Sequence, residues 1–98
     1  MTRHLVHDRA AAEDLLEIWS YSFQTWGETQ ADRYLDQLES GILSLRDAPE
    51  RGRARQEFRN HAYFSMRIRE HVVFYTFDEE EVCIRRVLHK ARDYERHL

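Results

Sequence analysis

Residues 63–77 read YFSMRIREHVVFYTF, and the change of period around them decides the fold. Phe64, Met66 and Ile68 alternate with Tyr63, Ser65, Arg67 and Arg69, which is the two-residue period of a strand with one apolar and one polar face. His71 to Phe77 follows as a more buried central strand, rich in β-branched and aromatic residues. Asp78, Glu79 and Glu80 form the next turn, and Val82 to Leu88 predicts a further strand. Upstream the period is that of a helix. Ala11, Leu15, Ile18 or Trp19, Ser22 and Trp26 predict a first helix, with Asp8 as its N-cap and the acidic Glu13, Asp14 and Glu17 near its start, where the helix dipole favours them. Gly27 stops it, and Ala31, Tyr34, Leu35, Leu38, Ile42 and Leu45 predict a second. A connection of only a few residues folds the two back as an antiparallel hairpin. Thr2 to His7 reads as a short N-terminal strand, Pro49 and Gly52 mark a loop of about ten residues, and the polar segment Ala91 to Leu98 reads as a helical turn or a frayed tail. Helices followed by strands imply an α+β domain: an N-terminal strand, then an antiparallel two-helix hairpin packed on one face of an antiparallel β-meander.

A chain of 98 residues has room for one such domain, spanning 1–98. With 42% apolar, 12% aromatic and 34% charged residues, its balance is globular rather than disordered. The longest apolar run, Val72 to Tyr75, is far short of the roughly 20 residues of a membrane span. Met1 to Asp8 lacks the apolar stretch of a signal peptide, which predicts a protein that stays in the cytoplasm. The single Cys83 cannot form an internal disulfide and suits a reducing compartment. Within a strand it reads as a small buried residue rather than a nucleophile. His4, His7, His61, His71, His89 and His97 are scattered, with no pair at zinc-ligand spacing, and Gly27, Gly41 and Gly52 are isolated. No metal and no cofactor is expected.

The net charge of -3 hides an asymmetry. Met1 to Ala48 carries four Arg against nine acids, a balance of -5, whereas Pro49 to Leu98 carries eleven Arg or Lys against nine acids, a balance of +2. Between Arg51 and Arg69 there are six arginines and one acid, Glu57. An acidic chain with one basic stretch suits a local contact with an anionic protein partner better than the wrapping of nucleic acid. No sequence-specific DNA binding by this chain alone is expected.

The segments so ordered match a known pattern. Ala11, Asp14-Leu15, Ile18-Trp19, Tyr21 and Trp26-Gly27 in the first helix, with Arg67, His71-Val72-Val73-Phe74-Tyr75, Arg86-Val87-Leu88-His89 and Asp93 in the second half, resemble the ParE toxins of bacterial type II toxin-antitoxin modules, within the wider RelE/ParE superfamily. The resemblance runs from about Leu5 to Asp93. It implies a partner, an antitoxin of the ParD type whose disordered C-terminal part folds around the toxin, and a target, DNA gyrase, whose supercoiling is blocked with stalled cleavage complexes.

The RelE-like branch of the same superfamily implies an alternative, ribosome-dependent cleavage of mRNA without a metal. That chemistry needs a base, a cation for the phosphorane-like transition state and an acid. The residues available for it are Arg67, His89, Arg92 and Tyr94. Arginine stays protonated and makes a poor base, and the chain has one lysine, Lys90. The sequence therefore favours a toxin that acts by binding, without a catalytic set of its own. Arg53, Arg55, Arg59, Arg67 and Arg69 are the expected antitoxin contacts. Trp19 and Trp26, two helical turns apart, together with Phe74 and Tyr75, are the expected structural anchors of hairpin and sheet.

Overall fold

A computed structural model describes residues 2–58 and 61–98. Its elements are β1 (His4–His7), α1 (Arg9–Trp26), α2 (Glu28–Ser44), a 3-10 turn (Pro49–Arg51), β2 (Arg53–Ala54), β3 (Phe64–Ile68), β4 (His71–Phe77), β5 (Glu81–His89) and a final 3-10 turn (Tyr94–Arg96). The fold is the expected α+β arrangement of a helical hairpin on a sheet. The sheet has five strands in the order β1-β5-β4-β3-β2. β3, β4 and β5 form the expected antiparallel meander, while β1 pairs parallel to β5 and makes the sheet mixed. The short β2, inside the arginine-rich loop, adds an edge strand antiparallel to β3.

Gly27 alone connects the helices. Its φ of 92° lies in the region that favours glycine, its N–H closes α1 on the Phe23 carbonyl, and its own carbonyl opens α2 by accepting from Ala31. The pair runs antiparallel, since Trp19 of α1 donates its indole N–H to Asp32 of α2 at 2.9 Å. Gly41 is the second glycine with a structural reason. A Cβ there would come within 2.5 Å of the Ile68 side chain, so its absence lets α2 lie close on β3.

The inward faces follow the periods. Ala11 and Ile18 of α1 and Leu38, Ile42 and Leu45 of α2 and its C-cap close on Val73, Tyr75, Val82, Ile84 and Val87 of the sheet. Each large apolar side chain so buried is worth about 1.5–3 kcal/mol. The other face of the sheet holds a second core of Tyr63, Val72, Phe74 and Leu88, covered by Phe58, Tyr94 and Leu98. Phe74 and Tyr75, both fully buried, therefore serve opposite faces: successive residues of a strand point to opposite sides. The C-terminal segment covers this second core, with the Tyr94 ring centroid 4.8 Å from that of Phe74.

Candidate functional site

The pairing of β4 with β5 shifts register between Phe74 and Tyr75: Tyr75 faces Ile84, but Phe74 faces Arg86, so Arg85 is the extra residue of a bulge. The bulge sends the two consecutive arginines to different carboxylates. Arg85 reaches Asp8 at 3.1 Å, and Arg86 grips Asp14 through two nitrogens at 2.8 Å each. Asp14 also accepts the Val87 N–H at 2.9 Å. β1 has ended at that point, so this amide has no strand beside it. Asp14 is 6% exposed, and one buried carboxylate thus holds α1 to β5 through three bonds. The paired carboxylate raises the Arg86 guanidinium above its ordinary value, against the opposing effect of burial.

These contacts correct two expectations. Asp8 stands at the N-cap position of α1, but its side chain makes no capping bond; it takes Arg85 and the Cys83 thiol instead. The first turn of α1 contains no acidic residue, and Asp14 points inward to Arg86 rather than serving the helix dipole.

Beside the Asp14 anchor lies an open groove of about 640 Å³ between α1, the start of α2 and the ends of β4 and β5. Ile18, Tyr21, Ser22 and Trp26 line one wall, His71, Val87 and His89 the other, with Gln30, Tyr34 and Arg92 at its ends. Tyr21 and Trp26 stand edge to face, with ring centroids 6.1 Å apart, and are 65% and 64% exposed. Trp26 is therefore not the sheet anchor that its spacing suggested, because the helix overruns the sheet and carries it to the groove rim. Trp19 is half-buried, but against α2 and Phe23, with ring centroids 5.1 Å apart. It ties the hairpin to itself rather than to the sheet. Outside the groove, Leu16, Phe23 and Leu43 are also exposed.

The polar floor of the groove is a short relay. The Glu70 N–H donates to the Tyr34 oxygen at 3.2 Å, and the Tyr34 hydroxyl lies 2.6 Å from His71 Nδ1. Because the phenol oxygen already accepts, its proton is best placed on Nδ1, leaving His71 neutral with its proton on Nε2. Burial, reinforced by neighbouring His89, pushes His71 down to about 4, and burial holds the Tyr34 hydroxyl above its ordinary value. His71 is thus neutral in the folded chain where the unfolded chain, titrating near 6.5, takes up a proton. Its contribution to stability is complete above about 6.5 and is lost as pH falls from there to about 4. Thermal melts across that window should fall less steeply for His71→Gln than for the unsubstituted chain. Identical slopes would refute a neutral, half-buried His71.

The expected site residues are spread over the molecule. Arg53 is exposed on β2, and Arg67 and Arg69 are exposed at the β3–β4 turn, where Arg69 has φ 57° and accepts at its carbonyl from the Arg67 Nε. Arg55 is enclosed instead. Its side chain is 12% exposed, paired with Glu57 at 2.8 Å, bonded to Ser65, and laid over the rings of Phe58, Phe74 and Tyr94. Arg59 lies outside the described residues. The four residues considered for RNA cleavage divide between the two faces. His89 and Arg92 line the groove, whereas Arg67 pairs in register with Val72 and Tyr94 packs on Phe74, both on the far side. His89 Nδ1 accepts from the Ala91 N–H, and Tyr94 donates to the Lys90 carbonyl. The groove itself was not legible beforehand. Its one local signal is Tyr21, a large aromatic outside the apolar stripe of α1; Trp26 belongs to that stripe by spacing and gives no sign of its exposure.

Among the described residues, no group of three or more His, Cys, Asp or Glu is placed to hold a metal ion, and no helix is long and apolar enough to cross a membrane.

A helical hairpin on a mixed sheet with an open aromatic groove defines a small α+β domain, and comparison with known proteins makes the class specific. The pattern of the family described as ParE toxin of type II toxin-antitoxin system, parDE, matches residues 5–94. Toxin ParE1 of Mycobacterium tuberculosis (strain ATCC 25618 / H37Rv) is 35% identical over 98 residues, 99% of this chain and 98% of that protein. Toxin ParE1 of Caulobacter vibrioides is 37% identical over 90 residues, 92% of each. Among solved structures, one described as the chromosomal ParDE TA system from P. aeruginosa shares the fold, with a TM-score of 0.77 at 17% identity over 90% of this chain and 96% of that one. The chain belongs to the ParE toxin family of type II toxin-antitoxin systems.

Proposed function

We propose that this toxin acts by binding two proteins in turn: DNA gyrase, whose supercoiling it blocks, and a ParD-type antitoxin that neutralises it in the cytoplasm. The groove between α1 and β5 carries the antitoxin half of this reading. It is open, walled by two aromatic rings that the fold leaves uncovered, and carries Arg92 at one end. Aromatic side chains in a partly desolvated cleft are the usual anchors of a protein interface. An antitoxin segment that folds as it binds fills such a groove with apolar side chains and turns acidic ones toward Arg92 at its end and Arg69 of the adjoining turn, while Arg53 and Arg67 are exposed on the far face of the sheet, where a segment that continues around the toxin reaches them. Arg55, already paired and enclosed, contributes by holding the far-side core. The gyrase half rests on membership of the family. RNA cleavage has less support, since its four candidate residues lie on two faces of the sheet.

The test is a supercoiling assay on relaxed plasmid with purified gyrase. The toxin should block supercoiling and accumulate cleaved DNA, and stoichiometric antitoxin should restore it. Unaltered supercoiling at toxin concentrations that arrest growth, with new mRNA ends on translating ribosomes, would replace this reading with the nuclease one.

A further inference from the structure

α1 has two exposed sides. Tyr21 and Trp26 turn to the groove. Leu16, Trp19 and Phe23, spaced three and four residues apart, form an apolar stripe on the side turned away from the buried Ile18. Leu16 is 68% and Phe23 46% exposed, and the half-buried Trp19 stacks on Phe23. On α2, Asp32, Asp36, Glu39 and Leu43 follow at intervals of four, three and four, all exposed and turned away from the buried Leu38 and Ile42. The indole bond from Trp19 to Asp32 sets the apolar stripe and the acidic row side by side. The charge of this face is one-sided. Between Arg9 and Ser44, Glu13, Glu17, Glu28, Asp32, Asp36 and Glu39 are exposed against Arg9 and Arg33. Among the described residues Glu13 alone of these acids is ion-paired, to Arg9 at 3.7 Å. Neither feature serves the fold: apolar side chains left in water add nothing to the core, and like charges repel.

The sign of the charge selects the occupant. A second copy brings the same acids to the same face, and an antitoxin segment drawn to Arg92 and Arg69 is itself acidic, so both are repelled here. An enzyme that handles DNA presents the opposite sign, lysines and arginines that neutralise phosphates along the path of the duplex. We propose that this outer face of the hairpin, the Leu16–Trp19–Phe23 stripe with the acidic row of α2, is where the toxin docks on gyrase, against a basic part of the surface along which gyrase holds DNA. The proposal rests on the gyrase reading above and supplies its contact surface. The apolar stripe provides the anchor that water is excluded from, and the acids set the choice of partner and the rate of encounter. Because Tyr21 and Trp26 belong to the same helix, an antitoxin in the groove stands beside this face and obstructs a partner as large as gyrase.

Two toxin variants test the face. Asp36→Lys with Glu39→Lys reverses the acidic row, and Leu16→Gln removes the most exposed apolar side chain of the stripe. All three positions are exposed, so the melts of both variants should stay within a few degrees of the parent. Glu79→Lys with Glu80→Lys, in the exposed turn between β4 and β5, makes the same change of net charge elsewhere. With purified gyrase and relaxed plasmid, each hairpin variant should need at least tenfold more protein to block supercoiling, while the turn variant matches the parent and all of them bind the antitoxin within twofold of it. Direct titration of toxin into gyrase should show affinity falling as salt rises, with a shallower slope for the charge reversal. Hairpin variants as potent as the parent would overturn the proposal, and so would an equal loss in the turn variant, which reduces the effect to net charge. Antitoxin binding weakened tenfold by the reversal gives the face to the antitoxin, and free toxin that sediments as a dimer broken by Leu16→Gln gives it to a second copy; either result overturns it. If one hairpin variant does not fold, the other decides. A parent toxin that leaves supercoiling unaltered removes the gyrase reading and this surface together, whereas an active parent with equally active hairpin variants removes the surface alone.

Discussion

Asp14→Ala should lower the thermal midpoint by roughly 15 °C or more, the largest stability loss expected for a single polar substitution in this chain. The carboxylate is 6% exposed and holds both nitrogens of Arg86 and the Val87 N–H. Its removal leaves a guanidinium whose remaining bond is to the His97 carbonyl, together with an amide that has lost its acceptor. Breaking one side of a buried ion pair costs about 3–5 kcal/mol, and in a domain of this size each kcal/mol moves the midpoint by about 4–8 °C. Asp14→Asn keeps an oxygen for Val87 and loses the charge, so it should fall between the alanine variant and the parent. Circular dichroism melts of the three proteins check the order. An alanine variant melting within about 4 °C of the parent, the shift expected for 1 kcal/mol, would show that α1 is held to β5 by apolar packing alone.

Trp26→Ala should do the reverse, costing antitoxin affinity and sparing the fold. With 64% of the residue exposed, little apolar contact is lost within the toxin, and the midpoint should move by no more than a few degrees. Truncating an aromatic anchor at an interface costs about 2 kcal/mol or more, roughly thirtyfold in affinity. Isothermal titration against the antitoxin reads the loss, and the melt reads the stability. Trp19→Ala makes the contrast. It removes the indole bond to Asp32 and the stack on Phe23, so it should lower the midpoint while leaving the groove walls in place. If Trp26→Ala binds as tightly as the parent, the aromatic rim is not part of the antitoxin interface.

The two tryptophans show where local sequence stops being informative. Their spacing places them two turns apart on one helix and reveals nothing of where the sheet ends beneath it. β5 lies under the middle of α1, bound through Asp14, and Trp26 extends beyond that support. Asp14 itself reads by position as an acid near the start of the helix, and only the bulge at Arg85, 71 positions away in the chain, turns it into an anchor. Arg55 shows the same limit in the opposite sense. In the sequence it is one of a run of arginines, but in the fold it lies over three rings with a carboxylate beside it, while Arg53 and Arg67 stay exposed.

What the sequence determined by itself is the set of elements and their faces. Periods of 3.6 and 2 are local properties of a chain that must bury one side of each helix and strand, and Gly27, Pro49 and the acidic run from Asp78 punctuate them. The order of apolar and special residues was also enough to place the chain among the ParE toxins. Only the tertiary structure decided that β1 joins parallel to β5 and ends early, that a bulge divides Arg85 from Arg86, and that an aromatic groove stays open beside a bare strand edge. Each of these depends on how far one element extends over another. That distance is set by packing between residues remote in sequence, which no local pattern records.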